Sequence, residues 1–358
     1  MKKPALLIYS LSAVLLSAAH GLTLDTVTVG NPGNPNDPSD GDSTTLGVQN
    51  YGGVATTYAI GKYEVTLNQY REFLAAVAVT DTYGLYNSSM GTDLNVKGIT
   101  RTGSSGSYSY AVFGDGNRPV TYVSWYDAAR FSNWLSNGQP TGLQTDGTTE
   151  TGSYTLTGNT GLISNNGTGL YRLPSESEWY KAAYYQPAAA GGDTDGYWLY
   201  PTGSNAVPNS RNGSVSDANS GNFYRVVAPA ADGVNDGYAV SGSSSSNVSQ
   251  QYLTSVGAFT QADSYYGTLD QGGNVWEWND AVFLDDADVP NSLRGLRGGS
   301  WNAGMADLRA SFRNGADPAS EESVFGFRVA TVPEPTVSVS LMLVGGLLLA
   351  RRKRPSAL

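Results

Sequence analysis

The chain of 358 residues contains no cysteine and one histidine, His20. Without cysteine no disulfide can tie its loops together, and 44 glycines predict that loops are abundant. Hydrogen bonds, side-chain packing or bound ions must therefore hold these loops in place. The same composition argues against most zinc, copper and iron sites and against Cys-His or Ser-His-Asp nucleophiles, since these need thiolate or imidazole groups.

The two ends of the chain carry targeting patterns. Lys2 and Lys3 precede the apolar residues 5–19, and small residues flank His20. This order is typical of a secretory signal peptide, which we assign to residues 1–21. His20 would leave with that peptide.

At the other end, the motif Val-Pro-Glu-Pro at 332–335 precedes the apolar residues 337–350 and the basic cluster 351–354. A helix over the apolar segment would rise only about 21 Å, which is short for a bilayer span. Residues 332–358 resemble the PEP-CTERM sorting signal. The resemblance implies recognition by an exosortase, a short transmembrane segment that anchors the chain only transiently in the inner membrane, and delivery to the cell surface or extracellular matrix. A plain tail anchor is the alternative.

Removal of both ends makes the chain strongly acidic. They contain six of the 21 basic residues, so the remainder, counted with Glu334, has 15 basic against 31 acidic residues and a net charge of −16. Such a protein is a poor partner for nucleic acid or anionic membranes and a reasonable host for divalent cations.

Local patterns predict a few helices in a loop-rich framework. Residues 22–55 read as a strand (22–29) followed by a loop, and 58–65 and 107–113 read as further strands. Three helix starts are indicated, one capped by Thr66 and two by the capping boxes Ser124–Asp127 and Ser175–Glu178. The first helix would bury Tyr70, Phe73, Leu74 and Val77. This combination predicts the α+β class.

Six blocks, in order, resemble the formylglycine-generating-enzyme family, also called the sulfatase-modifying-factor domain. The blocks are GKYEVT at 61–66, PVTYVSWYDA at 119–128, RLPSESEW at 172–179, GNVWEW at 273–278, RGGSW at 297–301 and GFRV at 326–329. The resemblance implies a single domain over residues 56–331, with a C-type-lectin-like architecture and little regular secondary structure.

Active members of this family oxidise a cysteine of sulfatases, using copper held by two cysteines after the Gly-Gly-Ser motif. Here that segment, residues 301–309, reads WNAGMADLR and contains no cysteine. Related members that use iron rely on histidines, which the mature chain also lacks. The resemblance therefore implies a retained fold without the oxidase chemistry, with no copper, no iron and no catalytic residue to assign.

The family resemblance also implies structural calcium. The loop Asn274, Val275, Trp276 and Glu277 matches one set of family ligands through side-chain and carbonyl oxygens, which suit Ca²⁺. The alternative is that Glu277 only accepts hydrogen bonds from backbone amides between two buried tryptophans. A second site would use Asn222 and the carbonyl of Phe223, with Asp232 or Asp236 as further candidates.

The remaining acids invite two interpretations. Glu64, Glu176 and Glu178 could be general acids, but their places at a strand end and in a first helical turn favour structural roles.

The C-terminal blocks are rich in arginine. Arg297, Arg309, Arg313 and Arg328 are predicted to form buried carboxylate pairs, for example with Asp317, a substrate clamp being the alternative.

Tryptophans recur in the same blocks. Trp276, Trp278 and Trp301 are predicted to be core residues, and exposure of one of them would instead indicate carbohydrate or peptide binding.

Three functions follow as hypotheses. The first is a secreted binding or matrix module for polysaccharide or peptide, without the family's oxidase activity. The second is a formylglycine-generating or non-haem-iron-type oxidoreductase acting on protein or small-molecule thiols. The third is a carboxylate-based hydrolase, which needs two acids converging in one cleft about 5–10 Å apart.

Overall fold

The computed structural model describes residues 21–39, 51–156, 158, 163–210, 217–226, 237–282 and 292–331. Residues 1–20 of the predicted signal peptide, the C-terminal tail, Asp232 and Asp236 lie outside these residues. Within the described ranges, no helix is long and apolar enough to cross a membrane.

The helices of the described residues are short. They are α1 (Leu67–Val77), α2 (Ser89–Thr92), α3 (Trp125–Ser136) and α4 (Glu176–Tyr184), and a 3₁₀ helix covers Ala188–Ala190. The strands are β1 (Thr26–Val29), β2 (Tyr58–Gly61), β3 (Ile99–Thr102), β4 (Ser109–Val112), β5 (Tyr171–Arg172), β6 (Asn209–Ser210), β7 (Ser220–Gly221), β8 (Tyr224–Arg225), β9 (Gly237–Tyr238), β10 (Trp276–Val282), β11 (Arg294–Arg297), β12 (Asn314–Ala316), β13 (Phe325–Phe327) and β14 (Ala330–Thr331).

Two four-stranded sheets organise the molecule. The first has the order β1-β2-β14-β5 and is antiparallel throughout. The second has the order β12-β11-β10-β13, with β10 and β13 parallel and the other neighbours antiparallel. In the second sheet Glu277 lies opposite Arg297 on one side and Gly326 on the other. The described strands also form three two-stranded pairs: β3 with β4, β6 with β7, and β8 with β9.

The helices begin where the capping patterns predict. The hydroxyl of Thr66 accepts from the amide of Gln69 and the Gln69 side chain accepts from the amide of Thr66, which completes a capping box for α1. Ser124 with Asp127 and Ser175 with Glu178 do the same for α3 and α4.

In the core, α1 packs against α3, and α3 packs against the second sheet. The rings of Phe73 and Phe131 meet edge to face at 5.3 Å, and Phe131 meets Phe327 of β13 at the same distance. The predicted buried face of α1 is confirmed. It consists of Tyr70, Phe73, Leu74 and Val77. This aromatic contact holds α3 over the strand that leads to Arg328.

The strands are shorter than the alternation predicts. The predicted strand 22–29 is regular only over Thr26–Val29, and 58–65 is regular only to Gly61. After Gly61 the backbone leaves the first sheet, because Val65 donates to the carbonyl of Phe327 instead. The strand predicted at 107–113 is confirmed as β4 and pairs with β3.

We expect Ser175→Ala to destabilise the protein by about 1 kcal/mol, because it removes the hydroxyl that accepts from the Glu178 amide at 3.2 Å. Chemical denaturation monitored by tryptophan fluorescence measures this loss. Ser177→Ala, two residues along the same helix, is the control and should cost less, because Ser177 does not cap α4. Equal losses in the two variants would contradict the capping role.

Candidate functional site

A fully buried ion pair lies at the centre of the second sheet. The guanidinium of Arg328 donates to both carboxylate oxygens of Glu277, from Nε to Oε2 at 2.6 Å and from Nη2 to Oε1 at 2.7 Å. Both side chains are 0% exposed. The indole nitrogen of Trp179 donates to the same carboxylate at 2.7 Å. A buried carboxylate needs such partners because desolvation is costly.

These contacts decide how Glu277 behaves towards a metal. Its carboxylate already faces one cation and accepts three hydrogen bonds, so a calcium ion would have to displace or oppose Arg328. Glu277 therefore does not fit a calcium ligand. The alternative interpretation needs a correction too, because the donors to its carboxylate are a guanidinium and an indole instead of backbone amides.

Arg328 also links separate parts of the chain. Its remaining donors reach the carbonyls of Gly61 at 2.9 Å, Lys62 at 3.2 Å and Leu269 at 2.9 Å. The pair thus joins β10 to the end of β2 and to the loop before Asn274. In a chain without disulfides, the guanidinium of Arg328 therefore fixes these loop positions by hydrogen bonds.

Beside this pair lies a cluster of buried amides and carboxylates. The side-chain amide of Asn274 donates to Glu64 Oε2 at 2.9 Å, and the backbone amide of Val275 donates to Glu64 Oε1 at 3.3 Å. Burial, together with the negative charges of Asp270 and Glu277, raises the pKa of Glu64 well above its ordinary value. Glu64 therefore anchors the Asn274 loop, as its predicted structural role requires.

The structure brings together two residues predicted for separate calcium sites. Asn222 Nδ2 donates to Asn274 Oδ1 at 3.0 Å, and the backbone amide of Asn274 donates to the carbonyl of Asn222 at 2.7 Å. The carbonyl of Phe223 accepts from the hydroxyl of Ser210 at 2.5 Å. The described residues contain no group of three or more acidic or histidine side chains that could hold a metal. Calcium at Asn222, Phe223 and the Asn274 loop stays a prediction.

Sequence patterns gave no sign of the cavity that borders Glu64. It has a volume of about 170 Å³, and its lining includes Thr23, Asp25 and Tyr63. Pockets that enclose drug-sized ligands are larger, roughly 300–1,000 Å³. The lining comes from residues about forty positions apart in the sequence, so only the pairing of β1 with β2 reveals it.

The other glutamates have the structural roles predicted for them. Glu178 completes its capping box and binds both terminal nitrogens of Arg172 at 2.5 Å. Glu176 pairs with Arg297 and Arg313. Because arginine binds both groups as carboxylates, neither is a free carboxyl group that could donate a proton as a general acid.

The predicted arginine–carboxylate pairing is confirmed for Arg297, Arg313 and Arg328, but the suggested partner was wrong. Asp317 accepts from the backbone amide of Ala319 in a local turn, and no ion pair between described residues includes it.

Arg309 differs from the other three arginines. Its Nε donates to the hydroxyl of Tyr200 at 3.1 Å. The general prediction of a carboxylate partner therefore fails at this position.

The tryptophans predicted to be core residues are buried. Trp276, Trp278 and Trp301 are all buried, and Trp301 stacks on Tyr252 with ring centres 4.7 Å apart. These indoles therefore stabilise loops and do not form an exposed binding surface.

The segment after the Gly-Gly motif turns two alkyl side chains inward. Gly298 and Gly299 have positive φ angles of 97° and 77°, which glycine adopts without strain. A Cβ atom on Gly299 would lie 2.8 Å from Leu308 Cδ1 and 3.5 Å from Ala303 Cβ. Ala303 and Leu308 are both buried. Because both lie close to Gly299, they flank one point inside the turn.

A comparison with protein families shows which family the chain belongs to. The profile of the sulfatase-modifying factor enzyme 1-like domain matches residues 49–332. The chain belongs to this family.

Relatives of this sulfatase-modifying-factor domain include both an inactive protein and an enzyme. The chain is 28% identical over 218 residues to the inactive Cα-formylglycine-generating enzyme 2 of Mus musculus, covering 60% of this chain and 49% of that protein. It is 28% identical over 176 residues to the hercynine oxygenase of Mycolicibacterium smegmatis, covering 44% of this chain and 32% of that protein. The chain thus spans half or less of the length of these curated relatives.

Two solved structures are also similar to the sulfatase-modifying-factor domain described here. CarF has a TM-score of 0.47 at 19% identity, covering 87% of this chain and 99% of that one. PvdO from Pseudomonas aeruginosa has a TM-score of 0.43 at 20% identity, covering 87% and 92%.

Proposed function

We propose that this protein is an exported, non-catalytic member of its family, with a C-type-lectin-like architecture that serves as a binding or extracellular-matrix module. One observation carries the proposal. The side chains that flank the inside of the turn after Gly299 are the alkyl groups of Ala303 and Leu308, in the segment where the family resemblance expects copper-binding thiols. Copper(I) prefers thiolate or thioether donors.

Export and sorting complete the proposal. The signal-peptide pattern at residues 1–21 and the PEP-CTERM-like tail at 332–358 support secretion, recognition by an exosortase-type enzyme and placement at the cell surface or in the matrix. The acidic remainder of the chain favours a polysaccharide or peptide partner over nucleic acid. Calcium at Asn222, Phe223 and the loop Asn274, Val275 and Trp276 would help to fix the loops, while Glu277 keeps Arg328 as its partner.

The second candidate is an oxidoreductase acting on thiols. Its specific support is the similarity to a hercynine oxygenase, over less than half of this chain. Fold and family do not fix chemistry, so the residues of the site must decide between the two.

Metal content and oxygen consumption separate these functions. We expect the purified protein to bind neither copper nor iron in stoichiometric amount, and to consume no oxygen with a thiol peptide. The double variant Ala303→Cys with Leu308→Cys is the matched control, because it places two thiols at the same turn; we expect it to bind copper(I). Stoichiometric copper or iron in the unmodified protein, together with oxygen consumption, would establish the oxidoreductase instead.

The binding role has its own test. The protein should be retained by extracellular polysaccharide or by peptides in a glycan-array and matrix pull-down experiment. Retention at physiological ionic strength is the expected result. No retention by any of these ligands would contradict the binding function even if the protein lacks oxidase activity.

A further inference from the structure

Three tyrosines and one tryptophan form a continuous row of rings. The ring centres of Tyr224 and Tyr238 lie 4.7 Å apart, and those of Tyr238 and Tyr252 are separated by the same distance. Tyr252 in turn stacks on Trp301. Rings at these distances are in direct contact. The row therefore runs from strand β8 through β9 to the turn that carries Trp301.

The register of β8 and β9 brings the first two rings together. Tyr224 lies directly opposite Tyr238 in this antiparallel pair. The amide of Tyr224 donates to the carbonyl of Ala303 at 2.9 Å. The amide of Tyr238 donates to the carbonyl of Ser243 at 3.0 Å. The two tyrosines thus form a non-hydrogen-bonded pair, the kind in which opposite side chains approach most closely.

The hydroxyl groups at the two ends of the tyrosine row reach the same short segment. The Tyr224 hydroxyl donates to the carbonyl of Ser244 at 3.2 Å. The Tyr252 hydroxyl accepts from the amide of Asn247 at 2.7 Å. Because the ring of Tyr238 lies between the other two, the row turns its phenol groups towards one side.

Exposure differs along the row. Tyr224 and Tyr238 are half-buried, and residues 241–249, against which the phenols lie, are exposed. Tyr252 and Trp301 are buried. A small reagent from solvent therefore reaches the first two rings and not the last two.

We propose that Tyr224 and Tyr238 are a site of oxidative cross-linking, at which a dityrosine bond joins β8 to β9. The rings already touch across the strand pair, so the bond forms without a rearrangement of the backbone. The chain contains 23 tyrosines and no cysteine. Like a disulfide, this bond restricts the unfolded chain, and so it stabilises the folded one. This modification goes beyond the proposed binding role and does not depend on it.

The reaction needs a one-electron oxidant, such as a haem peroxidase with hydrogen peroxide. Each phenol loses one electron and one proton and becomes a phenoxyl radical. The two radicals couple through ring carbons next to their oxygens, which forms one carbon–carbon bond. The hydrogen on each coupled carbon then leaves as a proton, and each oxygen regains one, so both rings become aromatic phenols again. The two electrons and two protons removed reduce one peroxide to two molecules of water.

A buried tyrosine pair in α4 is an internal control. The ring centres of Tyr180 and Tyr184 lie 4.8 Å apart, but both residues are buried. Their hydroxyl groups also diverge. Tyr180 donates to Asp37 Oδ2 at 2.6 Å, and Tyr184 donates to the carbonyl of Leu308 at 3.1 Å. Proximity without access should give no product at this pair.

The test treats the purified protein, at low concentration, with a haem peroxidase and hydrogen peroxide, and isolates the monomer by size-exclusion chromatography. We expect dityrosine fluorescence in the monomer, a mass lower by two hydrogen atoms, and a peptide map that joins Tyr224 to Tyr238. The melting temperature should rise by several degrees, because the bond restricts the unfolded chain. Tyr224→Phe and Tyr238→Phe should each lose the product, since phenylalanine has no phenol to oxidise.

Two further variants are matched controls. Tyr184→Phe removes one phenol of the buried pair, and Tyr265→Phe removes a phenol that is 44% exposed and can join separate molecules. Both should keep the product within the monomer. Absence of dityrosine from the oxidised monomer would overturn the proposal, and so would a bond mapped to another pair of tyrosines or one that persists in Tyr238→Phe. An unchanged melting temperature would contradict the stabilising role of the bond.

Discussion

Replacing Glu277 by glutamine is expected to destabilise the protein by about 3–5 kcal/mol, because it leaves the guanidinium of Arg328 buried without its paired carboxylate. The pair is 0% exposed and is joined by contacts of 2.6 and 2.7 Å. Glutamine keeps nearly the same shape, so packing changes little. The free energy of unfolding, measured by denaturant titration, should fall by this amount, or the variant should accumulate unfolded.

The matched control is an ion pair on the surface. Arg71 and Glu72 approach to 2.9 Å, but their side chains are 32% and 50% exposed. We expect Glu72→Gln to change stability by less than about 1 kcal/mol, because water screens the charges. Similar losses of unfolding free energy in Glu277→Gln and Glu72→Gln would contradict the expectation that the buried pair stabilises the protein more than the surface pair does.

A double variant separates the cost of an unpaired charge from the value of the pair. Replacing a whole buried ion pair by apolar residues of similar volume is often neutral or stabilising. Glu277→Leu with Arg328→Met should therefore recover much of the stability that Glu277→Gln loses. The recovery will be partial, because Arg328 also donates to three backbone carbonyls. A double variant less stable than Glu277→Gln would contradict this account.

Local sequence signals predicted α1, α3 and α4, but they missed the single-turn helix α2 within a segment read as loop. The boxes at Thr66, Ser124 and Ser175 involve residues three positions apart, so both partners are visible in one short window. The apolar spacing of α1 is equally local. Strand ends were predicted less well. β2 ends at Gly61 because the backbone that follows bonds to a distant segment, with Val65 donating to the carbonyl of Phe327, and no local pattern shows this.

Partner choice in the site could not be read from the sequence. Arg328 pairs with Glu277, 51 residues earlier, and Arg297 pairs with Glu176, 121 residues earlier, whereas the proposed partner Asp317 is close in sequence and not paired with either. Glu277 does not fit its predicted role as a calcium ligand for the same reason, because its distant partner Arg328 binds both carboxylate oxygens. Composition showed that charged groups must be neutralised, but only the sheet register at β10, β11 and β13 determines which groups meet.

The second large effect concerns Glu176, the first residue of α4. Its Oε1 atom accepts from Arg297 Nε at 2.8 Å and from Arg313 Nε at 2.5 Å, and its Oε2 atom accepts from Arg313 Nη2 at 2.6 Å. The ring of Tyr51 lies 5.0 Å from the Arg297 guanidinium and 4.8 Å from that of Arg313. We expect Glu176→Gln to cost about 3–5 kcal/mol, because two close guanidinium groups then repel each other with no carboxylate between them.

The two arginines should differ when each is removed separately. Arg297 is 1% exposed and also donates to the carbonyls of Ala310 and Phe312, whereas Arg313 is 18% exposed. Arg297→Ala should therefore destabilise the protein more than Arg313→Ala, since it also leaves buried carbonyls unpaired. In the background of Glu176→Gln, Arg313→Ala should become neutral or stabilising, because it removes the repulsion. A double-mutant cycle of unfolding free energies measures this change of sign, and additive losses would show that the two guanidinium groups do not share Glu176 in solution.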